Sequence, residues 1–315
     1  MIISKDAIIW AYRLFLDREP ENDLVVSDKL ACLRNTADIR RDFMSSSEFI
    51  TKNPVIRTLS LSGHEPSMPI ESSDDLNGLF AHIQNVWEDL GKSEPHWSVL
   101  TWDKFMSNGE GTEEEFYNTG KGDVDRLLET LKRNSIDINS LDTCLEFGCG
   151  VGRITSWLSQ KFKTVIGYDI SRAHLHLAQQ HFDKSSYKNI SLHHLRELSD
   201  IEKLPQVDLV FSVIVLQHNP PPIIKLIIKW LIRALNPGGI AFFQVPTYRN
   251  GYSFILKNYL SDEIKNHTME MHVLPQNELF EVIHNENGKV IEVLEDGYTG
   301  LRDGERSNTF VVQKR

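Results

Sequence analysis

Apolar residues recur with a helical period in the first part of the chain. Ile8, Tyr12 and Leu16 are spaced four residues apart, which places them on one face of a helix. Arg18-Glu19-Pro20 interrupts this pattern, because proline cannot continue a helix. Helical spacing returns from Leu30 to Phe43 and restarts after Ser45. We therefore predict a helical domain over residues 1–58.

Residues 59–140 fall into segments of different composition. Residues 59–75 are rich in Ser, Pro, Gly and acidic residues and have no apolar period, so we predict a linker. Residues 76–90 have helical spacing, and an aromatic-rich loop follows them. Residues 123–134 are again typical of a helix. We interpret residues 76–140 as a helical and aromatic lid region.

From residue 141 onward, short apolar runs alternate with helical patterns. This alternation predicts an α/β fold with a mostly parallel, seven-stranded sheet over residues 141–315. The last two runs are joined only by a loop, which predicts an antiparallel hairpin at the C-terminal end. Asn236-Pro237-Gly238-Gly239 is expected to form a turn before the fifth strand. The predicted strands are Thr143–Phe147, Thr164–Tyr168, Ile190–His193, Leu209–Val215, Ile240–Val245, Val290–Glu295 and Thr309–Gln313.

The run Cys144-Leu-Glu-Phe-Gly-Cys-Gly-Val-Gly-Arg153 carries the clearest chemical signal. It is typical of a buried strand, a glycine-rich turn and the first turn of a helix. Glycines let the backbone bend tightly and approach a ligand closely. The second strand ends in Asp169, where a carboxylate can accept hydrogen bonds from two ribose hydroxyls. These features predict an adenosine-containing cofactor across the first two strands.

Glu146 distinguishes between two kinds of cofactor. The dinucleotide fingerprint is G-x-G-x-x-G, whereas here the spacing is G-x-G-x-G and an acid precedes it in the strand. A carboxylate repels a pyrophosphate but suits the ammonium group of S-adenosylmethionine. A nucleotide-dependent oxidoreductase remains an alternative if Glu146 tolerates a pyrophosphate.

This run resembles motif I of the class I S-adenosylmethionine-dependent methyltransferases, and Tyr168-Asp169-Ile170-Ser171 is similar to their ribose-binding strand end. The resemblance covers about the last half of the chain. It implies a Rossmann-like core, S-adenosylmethionine as cofactor and S-adenosylhomocysteine as product. The residues that it assigns to cofactor binding are Glu146, Gly148, Cys149, Gly150, Gly152, Arg153, Asp169, Ile170, Tyr117, Val215 and Gln217.

Composition and charge limit the partners and the cellular compartment that we expect for this protein. The chain has 315 residues, of which 40% are hydrophobic, and its formal net charge is -10. Such acidity disfavours nucleic-acid binding, which needs a basic surface. The three cysteines have no disulfide framework spacing, and we see neither a signal peptide nor a transmembrane run. We therefore expect a cytoplasmic protein.

Two histidines are candidates for a general base. His218 follows the fourth strand, where the resemblance places the transferring methyl group, and imidazole titrates near neutrality. His272 is the second candidate, because it follows the extension of the fifth strand. The histidine spacing does not require a metal, although some sugar methyltransferases that resemble this core use magnesium.

Several further side chains are predicted to contact the acceptor. Aromatic rings upstream of the core can stack on sugars or on a sulfonium, and polar groups end the fifth strand. The predicted substrate residues are Trp97, Tyr117, His218, Gln244, Tyr248 and His272, with Trp102, Phe116 and Thr247 beside them. Arg249, Lys257 and Lys265 are weaker candidates for an acidic glycan or a phosphate.

The N-terminal stretches Tyr12–Pro20 and Phe43–Phe49 are similar to a small helical domain found in bacterial enzymes of surface-polysaccharide assembly. Together with the His218 loop, this implies an O-methyltransferase for a sugar hydroxyl of a surface polysaccharide, such as O-antigen or capsule, or its glycolipid-linked precursor. We expect the N-terminal helices to contact a second copy or a polysaccharide-assembly partner. Alternatives are an acceptor that is a small metabolite or a protein side chain, and a non-catalytic S-adenosylmethionine-binding module.

Overall fold

The chain divides into two compact units, residues 1–59 and residues 60–315. The computed structural model describes residues 3–52, 73–185, 187–261, 269–300 and 304–315. Most of the predicted linker, residues 59–72, lies outside the described residues, as does Lys265.

The first unit is helical, as the apolar spacing predicts. Its helices are α1 (Lys5–Leu16), α2 (Asp23–Cys32), α3 (Thr36–Met44) and α4 (Ser47–Lys52). Ser4, Asn22 and Asn35 cap the first three helices with their side chains. Tyr12 and Phe43 meet edge to face in the core of this unit, with their ring centroids 4.9 Å apart.

The predicted continuous helix from Leu30 to Phe43 is wrong. Leu33 is extended, with φ −96° and ψ 133°, and so ends α2. The Asn35 side chain then accepts a hydrogen bond from the Asp38 backbone N–H at 3.0 Å and starts α3. An asparagine at this position favours a helix start over a helix interior, and the apolar spacing alone does not reveal it.

In the described part of the second unit, three α-helices precede the sheet: α5 (Ser73–Ser93), α6 (Pro95–Val99) and α7 (Glu113–Arg133). Helix α7 begins at Glu113 rather than Asp123, because Thr112 and Glu115 form a capping box there. Phe116 and Tyr117 therefore lie in this helix, not in the predicted loop. Within the described part of the chain, no helix is both long and apolar enough to cross a bilayer.

The second unit contains a seven-stranded sheet in the order β3-β2-β1-β4-β5-β7-β6. Strands β1 to β5 pair in parallel, and β7 pairs antiparallel with β5 and β6, so the predicted fold class is confirmed. The strands are β1 (Thr143–Phe147), β2 (Thr164–Asp169), β3 (Ile190–His194), β4 (Val207–Ser212), β5 (Leu235–Arg249), β6 (Gly288–Asp296) and β7 (Glu305–Lys314). The remaining helices are α8 (Thr155–Leu158), α9 (Arg172–Asp183), α10 (Pro221–Arg233), α11 (Leu256–Ser261) and α12 (Gln276–Asn285).

Strand β1 has its predicted bounds, whereas the other six strands differ from the predictions at one or both ends, as β4 and β5 illustrate. Strand β4 ends at Ser212 rather than Val215, and Ile214 has a φ of 59°, which a strand does not accommodate. Strand β5 begins at Leu235, so the predicted turn at residues 236–239 lies inside it. The Asn236 side chain donates to the Asp208 carboxylate at 2.8 Å, which holds this segment beside β4.

The central strands are buried on both faces. Leu145 and Phe243 belong to the hydrophobic cluster on one face, and Cys144 and Phe242 belong to the cluster on the other. This explains why the central strands have continuous apolar runs rather than alternation. The carboxyl ends of the parallel strands share one edge of the sheet, where ligands bind in open α/β sheets.

Candidate active site

The glycine-rich turn after β1 has the backbone that its sequence requires. Gly148, Gly150 and Gly152 have φ values of 78°, 54° and 86°, in the left-handed region that favours glycine. A Cβ on Gly148 would lie 2.3 Å from a Val215 methyl carbon. The N–H groups of Gly148 and Cys149 donate to the Tyr168 carbonyl at 2.7 and 3.0 Å, which ties the turn to β2.

A cavity of about 800 Å³ opens beyond the carboxyl ends of β1, β2 and β4, and we call it the first cavity. It brings together eight of the predicted cofactor residues, which are Glu146, Gly148, Cys149, Gly150, Arg153, Asp169, Ile170 and Val215. The other three, Tyr117, Gly152 and Gln217, are not in its lining.

Helices α5, α6 and α9 complete the first cavity, and sequence reasoning missed their residues. Ile83 and Trp87 come from α5, Ser98 and Val99 from α6, and His174 from α9. The four-residue step between Ile83 and Trp87 is the available sequence signal, but it does not distinguish a cavity wall from core packing.

Glu146 is buried in the first cavity with 3% of its surface exposed. Burial raises the pKa of this carboxyl to about 8. The Thr155 hydroxyl donates a hydrogen bond to it at 2.5 Å, which lowers the pKa by less than burial raises it. The carboxyl is therefore mostly protonated at neutral pH when no cation lies beside it. A bound ammonium group would favour its ionised form.

Asp169 is fixed at the end of β2. Its two carboxylate oxygens accept hydrogen bonds from the Gly150 N–H at 2.7 Å and the Ser171 N–H at 2.8 Å. Each oxygen retains a second acceptor position, and the side chain lines the first cavity. This arrangement suits the recognition of neighbouring hydroxyl groups, as on a ribose.

A second cavity of about 1200 Å³ adjoins the first. The two share Ser98, Val99, Arg153 and Ile214 in their walls. His218 and Gln217 line only the second cavity of the two. A ligand in the first cavity and a ligand in the second would therefore meet near these shared residues.

His218 is held in one orientation by its ring nitrogens. Nδ1 lies 2.8 Å from the Glu270 carbonyl, which can only accept, so Nδ1 carries the proton and Nε2 presents a lone pair. The Gln217 amide N–H donates to that Nε2 at 3.2 Å. Burial lowers the pKa of His218 to about 4, so the ring is neutral near pH 7.

Gln244 lies behind Gln217 and His218. Its amide nitrogen donates to Gln217 Oε1 at 3.0 Å and to the Ser307 hydroxyl at 2.7 Å, and its oxygen accepts from the Ile214 N–H at 2.9 Å. Gln244 is fully buried and lines neither cavity. It orients Gln217 instead of contacting the cavity directly.

His272, the second predicted base, lines neither cavity. It is buried, with Nε2 2.7 Å from the Glu270 carboxylate and Nδ1 3.1 Å from the Tyr252 hydroxyl. Its backbone N–H donates to the Gln217 carbonyl at 2.7 Å. The structure therefore places His272 behind the site, where packing of residues 269–273 against the His218 loop buries it.

Three predicted residues are directed elsewhere by local packing. Tyr117 donates its hydroxyl to the Val151 carbonyl at 3.0 Å and stacks on His181 at 3.6 Å, so it supports the glycine turn from outside. Trp97 on α6 and Tyr248 on β5 line neither cavity. Tyr248 pairs with Arg306 of β7 in the sheet.

The remaining candidates within the described residues also lie apart from the two cavities, with one exception. Trp102 lines the second cavity and exposes 50% of its surface. Thr247 donates its hydroxyl to the Asn308 side chain at 2.5 Å, and Arg249 pairs with Glu305. Within the described ranges, no group of three or more His, Cys, Asp or Glu side chains is arranged to hold a metal ion.

Comparison with known proteins agrees with this geometry. The sequence model of a methyltransferase-domain family matches residues 145–241. Ubiquinone biosynthesis O-methyltransferase of Pseudomonas fluorescens (strain SBW25) is 34% identical over 104 residues, which cover 32% of this chain and 42% of that protein. The Acinetobacter baylyi protein of the same name is 30% identical over 113 residues, covering 35% and 46%. The chain thus spans less than half the length of these curated relatives.

Among solved structures, the magnesium protoporphyrin IX methyltransferase from Synechocystis PCC 6803 with bound SAH aligns with a TM-score of 0.53. The alignment covers 75% of this chain and 99% of that chain at 17% identity, so it shows a shared fold. The matched family model, the sheet order and the glycine turn agree with one another. Residues 145–241 are therefore similar to a methyltransferase domain, and the second unit shares the fold of a solved methyltransferase.

Proposed function

We propose that this protein transfers the methyl group of S-adenosylmethionine to a hydroxyl oxygen, and that the acceptor is a sugar of a bacterial surface polysaccharide or its precursor. The observation that carries the proposal is the junction of the two cavities. The first contains the carboxyls suited to an ammonium group and a ribose, and the second contains a neutral histidine.

The residues of the first cavity would bind and orient the cofactor. Glu146 would take the ammonium group as an ionised carboxylate, and Asp169 would accept hydrogen bonds from the ribose hydroxyls. When bound, S-adenosylmethionine supplies an already activated methyl group. The protein then has to position the acceptor and receive its proton.

His218 is the proposed base. Its Nε2 lone pair faces the Gln217 amide, so an acceptor hydroxyl would replace that amide as the hydrogen-bond donor. The hydroxyl proton moves to Nε2 while the new C–O bond forms and the S–CH₃ bond breaks. The products are a methyl ether and S-adenosylhomocysteine, and the imidazolium then releases its proton to water.

Two observations support a sugar as the acceptor. Trp102 lines the second cavity with half of its surface exposed, and aromatic rings stack on sugar rings. The N-terminal helices resemble a domain of polysaccharide-assembly enzymes, and we propose that they contact such a partner. A phenolic acceptor is the second candidate, because the curated relatives act in ubiquinone biosynthesis and Leu100, Met269 and Met271 give this cavity apolar walls.

A turnover assay tests the proposal. The protein is incubated with S-adenosylmethionine and either neutral and acidic methyl glycosides or catechols, and S-adenosylhomocysteine is measured. We expect product with glycosides and a large loss in His218→Gln. Product with catechols alone would contradict the sugar acceptor. Unchanged turnover in His218→Gln would contradict the base.

A further inference from the structure

Among the described residues that line the second cavity, positive charge exceeds negative charge. The charged side chains there are Asp123, Arg126 and Arg153, because His218 is neutral near pH 7. Arg153 Nη1 lies 2.8 Å from an Asp123 oxygen, whereas Arg126 Nη1 reaches the other oxygen only at 3.9 Å. One carboxylate therefore faces two guanidinium groups, and the nearer takes most of its charge.

Asp123 is shared among several donors, and Arg126 is the most distant of them. Besides the Arg153 hydrogen bond, it accepts the Tyr298 hydroxyl at 2.8 Å. The Arg126 guanidinium lies over the Tyr298 ring, 4.9 Å from its centroid, which restricts its orientation. Half of the Arg126 side chain remains exposed, and the N–H donors of its guanidinium lie in one plane.

Arg153 adds an independent sign of a ligand. Its side chain is 4% exposed, and Nη1 bonds to Thr119 at 3.2 Å as well as to Asp123. Among the described residues, nothing accepts a hydrogen bond from its buried Nε–H. An unpaired buried donor on a charged group costs free energy of folding. The Arg153 side chain that carries this donor lines both cavities.

We propose that the acceptor carries an anionic group, a carboxylate or a phosphate, that pairs with Arg126 and accepts the free N–H of Arg153. For a sugar acceptor, this means a uronic acid or a sugar phosphate whose ring lies on Trp102. The planar guanidinium of Arg126 matches either anion in a two-point contact. This inference rests on the proposed function, because it names the substrate class of that site.

The test is a binding titration of the full chain loaded with S-adenosylhomocysteine, so that the carboxylate of the cofactor product is already in place. The probes are methyl β-D-glucuronide, glucose 6-phosphate and neutral methyl β-D-glucoside. We expect one or both anionic probes to bind about tenfold more tightly than the neutral glucoside. The affinities of methyl β-D-glucuronide and glucose 6-phosphate then show whether the site prefers a carboxylate or a phosphate.

Variants assign the effect to Arg126. Arg126→Gln should remove the preference for the anionic probe, and Arg126→Lys should retain part of it, because lysine keeps the charge without the planar fork. Lys121→Gln is the matched control. It removes one positive charge from the same helix at an exposed ion pair with Asp125 that does not line the second cavity.

Three results would overturn the inference: equal binding of the charged and neutral probes, no binding of either anionic probe, or an equal loss in Lys121→Gln and Arg126→Gln. Failure of the protein to bind S-adenosylhomocysteine at the loading step would overturn the proposed function instead. The loading step therefore separates the two failures.

Discussion

At the residue scale, the chemistry depends on side chains whose environment changes their protonation. Glu146 is buried with a raised pKa, and His218 is buried with a lowered one, so both are neutral near pH 7 in the ligand-free protein. Both residues could be identified from the sequence, because Glu146 precedes the glycine motif and His218 follows the fourth strand. The sequence did not predict their pKa values, which depend on burial by α5, α6 and residues 269–273.

We predict that titration of Glu146 lowers the stability of the ligand-free protein as pH rises from about 5 to about 8. The Glu146 pKa is raised from 4.5 to about 8, so in this window the folded state keeps a proton that the unfolded state releases. The free energy of unfolding then falls by at most about 1.4 kcal/mol per pH unit from this group. Urea unfolding at several pH values measures the slope.

Glu146→Gln is the control for this slope, because it keeps the shape and removes the titration. The difference in slope between the parent and this variant isolates the carboxyl from other titrating groups. Identical slopes in the two proteins would show that Glu146 is ionised in the ligand-free state.

His218→Ala should lower kcat by about 10² to 10⁴, with little change in S-adenosylmethionine affinity. The reason is that His218 lines the second cavity and not the first. Because the His218 pKa is lowered to about 4, its base form is present at all higher pH values. We therefore expect the acid limb of kcat from this group near pH 4. An equal loss of cofactor affinity would contradict this separation of roles.

At the element scale, the sequence predicts the sheet better than the helix boundaries. Strands β1 and β4 are mainly apolar because both faces are buried, with Glu146 and Asp208 as their charged residues, and this pattern is visible without a structure. The starts of α3 and α7 depend on single capping side chains, Asn35 and Thr112, that the apolar period does not register. The cavity walls from α5 and α6 depend on tertiary packing.

Two glycines of α7 test how this helix packs on the glycine-rich turn. A Cβ on Gly120 would lie 2.3 Å from the Arg153 carbonyl oxygen, whereas one on Gly122 meets nothing within 4 Å. Gly120→Ala should therefore destabilise the protein by about 1–3 kcal/mol, since backbone atoms have to move. Gly122→Ala should stabilise it by up to about 1 kcal/mol through helix propensity.

Thermal and urea unfolding of both variants provide the comparison. Equal effects at Gly120 and Gly122 would contradict the close approach of α7 to the glycine-rich turn. Cofactor affinity should fall only in Gly120→Ala, because that substitution displaces the turn that carries Gly150 and Arg153.

At the scale of the whole molecule, the two units have separate cores. Ile8, Tyr12 and Phe43 belong to the core of the first unit, and every residue in the lining of the two cavities belongs to the second. The sequence predicts this division from the change in apolar period and from the polar stretch after it. The second cavity, where we propose that the acceptor binds, is assembled from distant segments of the chain.

We predict that a chain starting at Ser60 keeps the S-adenosylmethionine affinity of the full-length protein. All cofactor contacts proposed above lie in residues 60–315, and that unit has its own hydrophobic core. Calorimetry on both chains measures the affinities. Loss of affinity in a shortened chain whose circular dichroism still shows the folded state would contradict the prediction.

The most direct test of the central claim is calorimetric titration of the full chain with S-adenosylmethionine and S-adenosylhomocysteine, with NAD as the control ligand. The account predicts micromolar binding of the two sulfur nucleotides, no binding of NAD, and a loss of affinity in Asp169→Ala. Binding of NAD in their place, or of none of the three ligands, would contradict it.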